Sequence, residues 1–439
     1  MKQTKTPHSA PKPGKRKRRL KKSVKRGCMG FVLAAVVIIS LSVYECTRER
    51  HASDMPEPAF PTLPPDGTDS LVAARVMRSV LTAPCIDTSR LAISIFDLDR
   101  NCPVLEHRSQ CLMAPASCMK LLTAIAAYRM LGLDHQYRSH LLVQGTRQGC
   151  KLRGNVILQA DDDPQLLSLD DFAQALRQKG ITEVEGNIEY NLARRDTLRQ
   201  HPTASPWDIS YAKVPILMKG EGRIRQEFQA ALTRAGISVN PAEQPLHGNA
   251  DTILTISHTL REVCAPMVIH SSNIKAEAVY YHLHHHMARL QPAQDISTLP
   301  LLQRFMLDEL GMVDFERYTV LDGSGLSPQN RLTTSFLTRL LTYAFRHDDL
   351  RQVLIDETLA TPGHPERHGS LMGRMNTPTF HGKVFCKTGT LTTIGTSSLA
   401  GYAQGADGRW FAFAIITGQT PVADSRNMQD DICKAMVRF

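Results

Sequence analysis

Three patterns of apolar and polar positions run along this chain. The first is helical. In SCMKLLTAIAAYRM, from Ser117, apolar residues go almost all the way round a 3.6-residue period, which predicts a buried helix. DSLVAARVMRSVLTAP predicts the helix that opens the folded body, with Asp69 or Ser70 as its N-cap. DDFAQALRQKGI and EFQAALTRAGISV predict short helices closed by Gly180 and Gly236. PLLQRFMLDELG and TTSFLTRLLTYAFRHD predict amphipathic helices in the C-terminal third. The second pattern is extended. RLAISIFDLDR alternates and is β-branched, so it predicts a strand, and residues 131–150 with GNVILQADDDPQL predict further strand and turn. TSSLAGYAQ and RWFAFAIIT predict two strands joined across GADG, followed by a helix near ADSRNMQDDICKAM. A hairpin with a terminal helix packed on it predicts an antiparallel sheet covered by helices. No internal repeat is visible.

The third pattern is the uncharged apolar stretch from Cys28 to Tyr44, about long enough to cross a bilayer. Charge gives it an orientation. The chain has 52 Lys and Arg against 42 Asp and Glu, a formal net charge of +10. Twelve of those 52 lie within residues 1–26, with no acid among them, which leaves 40 basic residues against 42 acidic in the remainder. The basic character therefore belongs to a tail, and the body gives no argument for nucleic-acid binding. Positive charge before an apolar span predicts a cytoplasmic tail at 1–27, a single uncleaved anchor at 28–44 and an exported body. A cleaved signal peptide is the rival reading, but no small-x-small site follows Ser42. Residues 45–68 are Pro-rich and predict an extended linker.

With 439 residues, two domains or one with a large insertion are expected. The ten cysteines have neither metal nor disulfide-framework spacing. Cys118 and Cys386 are expected to be small buried packing residues. In HLHHHM, His282 and His286 are four apart and have the spacing of a metal pair, but a polar outer helix face is the preferred reading.

Ser117 and Lys120 share one face at the head of the buried helix. A buried amine is disfavoured as a cation, so its pKa falls and it can take the serine proton. Helix N–H groups at that end suit an oxyanion. Ser-x-x-Lys also occurs at Ser9, Ser210 and Ser272, but only Ser117 heads a buried-helix pattern. Further along, HSSNIKAEAVYYHLHHHMARL carries Ser271 and Asn273 before a helical pattern. Ser271 can relay a proton to a leaving amine, and Asn273 can hold a substrate amide and orient Lys120. VFCKTGTLTTIGTSSLAGY contains the chain's single Lys-Thr-Gly, at Lys387, Thr388 and Gly389, in an edge-strand context. Lys387 can bind a carboxylate, Thr388 can hydrogen-bond it, Gly389 lets a substrate backbone approach, and the Thr390 N–H can be a second oxyanion donor.

Together and in this order, the three motifs are the signature of serine penicillin-recognising enzymes. The wording of MAPASCMKLLTAIAAYRMLGLDHQY, SPWDISYAKVP, VLDGSGLSPQNRLTT and CKTGTLTTIGTSSLAGY resembles the D-alanyl-D-alanine carboxypeptidase/endopeptidase family of class C low-molecular-mass penicillin-binding proteins, over roughly residues 70–439. Cys118, Cys386 and ILQADDDPQL depart from that family's usual wording. The resemblance implies an α/β (α+β) transpeptidase/β-lactamase-like domain in two parts, 69–133 and 249–439, with a second domain inserted at 134–248 between the first and second motifs. It implies acyl transfer on peptidoglycan stem peptides, acylation by β-lactam antibiotics, no cofactor or metal, and catalysis in the periplasm by a protein held in the cytoplasmic membrane. A serine β-lactamase and a catalytically weak peptidoglycan-binding scaffold are the alternatives. Neither a Glu-x-x-Leu-Asn nor a middle Tyr-x-Asn favours the β-lactamase.

Overall fold

The computed structural model describes residues 67–206, 213–242, 249–290 and 301–439. The basic tail, the apolar span at 28–44 and nearly all of the linker lie outside the described residues. No helix among the described residues is long and apolar enough to cross a membrane.

In chain order, α1 (Gly67–Thr82) leads to the hairpin β1 (Leu91–Asp97) and β2 (Cys102–His107), then to α2 (Met119–Leu131). There follow β3 (Gln136–Gln148), β4 (Lys151–Ala160), α3 (Asp170–Gln178), β5 (Glu183–Glu185), β6 (Ile188–Leu192), α4 (Glu221–Arg234), β7 (Ser238–Asn240) and β8 (Ala250–Thr259). The helices α5 (Leu260–Ile269), α6 (Asn273–Leu290), α7 (Leu301–Asp308), α8 (Thr334–Arg346) and α9 (Asp348–Val353) come next. The chain closes with β9 (Val384–Leu391), β10 (Thr396–Gln404), β11 (Trp410–Thr417) and α10 (Val422–Val437).

The first sheet has the order β2-β1-β11-β10-β9 and is antiparallel throughout. Both of its faces are covered, which is why β11 reads as an unbroken apolar run. Phe411, Phe413 and Ile415 of β11 meet Val72, Val76 and Val80 of α1 and Met428 and Ile432 of α10. The alternate residues Ala412, Ala414 and Ile416 meet α2, α5 and α8 on the other face.

The second sheet has the order β7-β5-β4-β3-β8, with β6 also pairing β4. It is mixed rather than antiparallel, because β4–β5, β4–β6 and β5–β7 are parallel pairs. Helices α3 and α4 cover it and bury Phe172, Leu176, Ile224 and Phe228. At the ends of both helices, glycine supplies the left-handed residue that ordinary side chains avoid: Gly180 at φ 73° and Gly236 at φ 70°. The sheet's last strand, β8, lies wholly beyond residue 248, the expected end of the insertion, and pairs with β3 along its length. Between the two cores lies α6. It sends Ile274 and Ala278 into the second and Ala276, Val279 and Leu283 into the first.

Two expectations need correction. Helix α1 begins at Gly67, so Asp69 does not cap it. Asp69 lies in the first turn, buried, with Arg409 at 3.2 Å and Arg100 at 3.4 Å. Nor does His282 lie on a polar outer face. It is buried against Tyr137, with its Nε2 2.9 Å from Nε2 of His135, and the apolar surroundings of α6 turn it inward. Cys118 and Cys386 are fully buried.

Candidate active site

Ser117 sits in a 3-10 turn, Ala116–Cys118, that runs directly into α2. The preceding residue, Ala116, has φ 48°, a left-handed conformation that costs a non-glycine residue roughly 1–3 kcal/mol. The turn is held from two sides. Gly325, at φ 81°, packs against the Ala116 carbonyl, and Ser398 Oγ donates to the Pro115 carbonyl at 2.7 Å.

One turn into α2, the Lys120 amine is fully buried. Its Nζ lies 3.0 Å from Ser117 Oγ, 2.7 Å from Asn273 Oδ1 and 2.7 Å from the Ser324 carbonyl. Burial first, and then the Lys387 cation, push its pKa well below the ordinary lysine value. A neutral amine has two N–H groups and one lone pair. The two carbonyl-type oxygens at 2.7 Å occupy the N–H groups, which leaves the lone pair for the serine hydroxyl at 3.0 Å. The arrangement therefore suits an amine that accepts the Ser117 proton.

Asn273 is the first residue of α6. Ser271, two residues earlier, is half-buried in left-handed backbone at φ 58°. Its hydroxyl makes no hydrogen bond to another described residue, so the structure joins Asn273 to the Ser117–Lys120 pair and leaves Ser271 beside it.

The Lys-Thr-Gly lies on β9, the edge strand expected for it. Lys387 is fully buried, and its Nζ donates to the Thr388 carbonyl at 2.7 Å. Burial lowers its pKa to about 8. Thr388 Oγ1 is 2.6 Å from Ser370 Oγ. Gly389 faces the nucleophile turn. A Cβ there would lie 2.9 Å from the Ser117 nitrogen and 3.0 Å from Ala116 Cβ, and would collide with Ser398 Oγ. Thr390 pairs with Ser397 of β10, and its Oγ1 accepts from Arg426 at 3.2 Å.

Sequence reasoning missed the acidic backing of this site. The carboxylate of Asp322, 1% exposed, accepts from the backbone N–H of Gly325 and Ser327 and from Asn330 Nδ2. It thereby shapes the DGSGLS loop that presents the Ser324 carbonyl to Lys120. Glu277, 3% exposed and one turn beyond Asn273 on α6, accepts from the Ser324 N–H at 3.2 Å. Burial, and then the Asp322 carboxylate, push Glu277 up to about 7, against the pull of Ser324, Gly323 and Lys120. The signal was present as an acid at i+4 from Asn273 inside an otherwise apolar helix face.

Comparison with known proteins places this geometry. The family model of D-Ala-D-Ala carboxypeptidase 3 (S13) matches residues 73–215 and 213–439. A protein of Mycolicibacterium smegmatis named carboxypeptidase DacB is 25% identical, across 90% of this chain and 94% of its own. Penicillin binding protein 4 (dacB) of Haemophilus influenzae superposes with a TM-score of 0.64 at 18% identity, covering 83% of this chain and 99% of that one. The same Haemophilus protein has been crystallised with a β-lactam, and that structure superposes with a TM-score of 0.62. A predatory peptidoglycan endopeptidase of Bdellovibrio bacteriovorus superposes with a TM-score of 0.54 at 14% identity, over 76% of this chain and 87% of that one. Matched by the family model from the first helix to the C-terminus, the chain belongs to the D-Ala-D-Ala carboxypeptidase 3 (S13) family, whose members are serine hydrolases.

Proposed function

We propose that the chain is a serine D-Ala-D-Ala carboxypeptidase, D,D-endopeptidase or both, acting on peptidoglycan stem peptides through an acyl-enzyme at Ser117. The observation that carries the reading is the 3.0 Å approach of Lys120 Nζ to Ser117 Oγ, with the two amine N–H groups already engaged. Lys120 takes the hydroxyl proton as Ser117 Oγ bonds to the carbonyl of the penultimate D-Ala. The developing oxyanion is held by the backbone N–H groups of Ser117 and Thr390. Collapse expels the amine of the terminal residue, or of the cross-linked neighbour, with a proton returned by way of Lys120 and Ser271. Asn273 orients the substrate amide, Lys387 and Thr388 take the carboxylate, and Gly389 leaves room for the substrate backbone. Water then hydrolyses the ester, and a penicillin occupies the same site as a slowly released acyl group.

The inserted module is read as 134–248 extended by β8. The charge step around residues 26–50 supports a single cytoplasmic-membrane anchor with the catalytic region in the periplasm. The test is covalent labelling with a fluorescent penicillin, followed by mass analysis of muropeptide products. The reading requires a label on Ser117 that is absent from Ser117→Ala, and loss of D-Ala or of a cross-link from the substrate.

A further inference from the structure

Away from the Ser117 site, the second sheet carries an open cavity of about 750 Å³ between the segment after β6, the start of α4, and α6. Five cationic side chains line it: Arg194, Arg195, Arg199, Lys219 and Arg223. Two acids oppose them, Asp196 and Glu221; Glu221 is engaged by Arg225 and, at 3.7 Å, by Arg195, while Arg223 pairs with Glu227 at 2.7 Å, which leaves the lining net positive. Four consecutive residues at the head of α4, from Gly220 to Arg223, also face the cavity, so the positive end of a 14-residue helix points there with no side-chain cap.

Arg194 anchors the cavity wall. Its side chain is only 7% exposed, with the guanidinium stacked 5.0 Å over the Tyr281 ring. Its Nε and Nη2 are closed off from the cavity, and Nη2 is ion-paired with the buried Asp162 at 3.5 Å. Ion-paired with Asp162 and stacked on Tyr281, the Arg194 guanidinium is a fixed positive charge in the cavity wall, and a carboxylate entering the cavity would meet the exposed Arg195, Arg199 and Arg223.

The cavity is tied to the active site by one helix. Tyr281 and His285, on its wall, lie eight and twelve residues beyond Asn273 on α6. At 1.5 Å per residue this is about 12–18 Å along the axis. An extended peptide covers that in about four or five residues, the scale of a stem peptide with the partner to which it is cross-linked.

We propose that this arginine-lined cavity is a second substrate subsite, which binds carboxylates of a peptidoglycan stem peptide while another part of the same cross-linked material occupies the Ser117 site. The inference rests on the functional reading above and deepens it, since it gives the inserted sheet the task of holding polymeric substrate. Short soluble substrates and penicillins do not reach the cavity, so the subsite acts on polymer alone.

The test uses the full-length chain in detergent, carrying Ser117→Ala so that bound material is not cleaved. The variant Arg195→Gln/Arg199→Gln/Arg223→Gln changes three exposed side chains and leaves the buried Arg194 in place. Co-sedimentation with insoluble peptidoglycan should weaken about tenfold, three exposed charge contacts giving a loss of that order. Peptidoglycan whose carboxylates have been amidated should bind the unsubstituted cavity about as poorly as untreated peptidoglycan binds the variant. With Ser117 restored, the triple variant should be labelled by penicillin at the rate of the parent. Unchanged sedimentation of the variant overturns the subsite. Undiminished binding of amidated peptidoglycan overturns carboxylate as its ligand. A parent chain that takes no penicillin label overturns the acyl-enzyme reading instead, and the sedimentation result distinguishes the two failures.

Discussion

Replacing Lys387 with methionine should make the protein more stable and less active at once. Lys387 is fully buried, and its pKa falls from 10.5 to about 8 because burial disfavours the cation. That depression corresponds to about 3 kcal/mol of destabilisation by the charged form at neutral pH. Its hydrogen bond to the Thr388 carbonyl, at 2.7 Å, returns about 1 kcal/mol. Lys387→Met keeps the apolar stem and removes the charge, so a net gain of about 2 kcal/mol is expected at pH 7. The sign follows from proton counting. Between about 8 and 10.5 the unfolded chain holds a proton on Lys387 that the folded chain has released, so wild-type stability rises with pH through that window. The advantage of the variant is therefore full below about 8 and fades as pH approaches 10.5. Urea unfolding at pH 7, 9 and 10.5, followed by fluorescence, reads this directly. The same variant should lose about ten- to a hundredfold in penicillin acylation, the size of a charge-assisted bond. Its acid limb should move to higher pH, because the Lys387 cation helps hold Lys120 down. A variant no more stable than wild type, or a gain independent of pH, would refute the account of Lys387 as a charge held in place for function.

Glu277→Gln should move the acid limb of acylation to lower pH, because the Glu277 carboxylate raises the Lys120 pKa. It should also stabilise the protein above about pH 7 and change little below 4.5, because the raised Glu277 pKa makes wild-type stability fall across that range. Parallel pH–rate and urea measurements check both effects, and an unmoved limb removes Glu277 from the electrostatics of Lys120. Gly389→Ala should slow acylation at least about tenfold, because its Cβ meets the Ser117 nitrogen at 2.9 Å. Adding Ser398→Ala should restore only part of the rate, since that backbone contact remains. N-terminal analysis of the protein isolated from its host should find residues before Ser42 retained, and a mature chain starting beyond Ser42 contradicts an uncleaved anchor.

Much of the fold was legible because its elements carry single, unopposed patterns. Helix α8, with Thr333 accepting from the Phe336 N–H, reads directly as a capped amphipathic helix. The β10–β11 hairpin reads as two strands across GADG. Helix α5 was missed, and Pro266 inside it gives the reason, since proline argues against a helix interior. Its start was nevertheless signalled by the Thr259–Glu262 capping box. The parallel pairs β4–β5, β4–β6 and β5–β7 went unread because β5 and β7 are three residues each and β6 five, too short to show a period. His282 was placed outward because a run of histidines looks polar. Its neighbour across the fold, His135, is 147 residues away in the chain, and no local pattern announces that contact.

The site divides along the same line. Candidate side chains are legible by type and spacing, so Ser117, Lys120 and Asn273 could be singled out, and the structure brings them together. What fixes the direction of the Lys120 lone pair is the Ser324 carbonyl, and a carbonyl is present at every residue. Only the fold selects which one faces the amine. It does so through a relay of buried acids: Asp322 shapes the loop, and Glu277 holds the Ser324 N–H from α6. Because Asn273 and Glu277 are one turn apart on that helix, a single element positions one N–H acceptor of Lys120 directly and steadies the other through the loop backbone. A shift of α6 would then misplace both acceptors together. The coupling predicts that Asn273→Ala and Glu277→Gln are less than additive in acylation rate, since each releases the same amine from the same orientation. Fully additive losses would mean that the two residues act on Lys120 independently, and the relay through Ser324 would carry nothing.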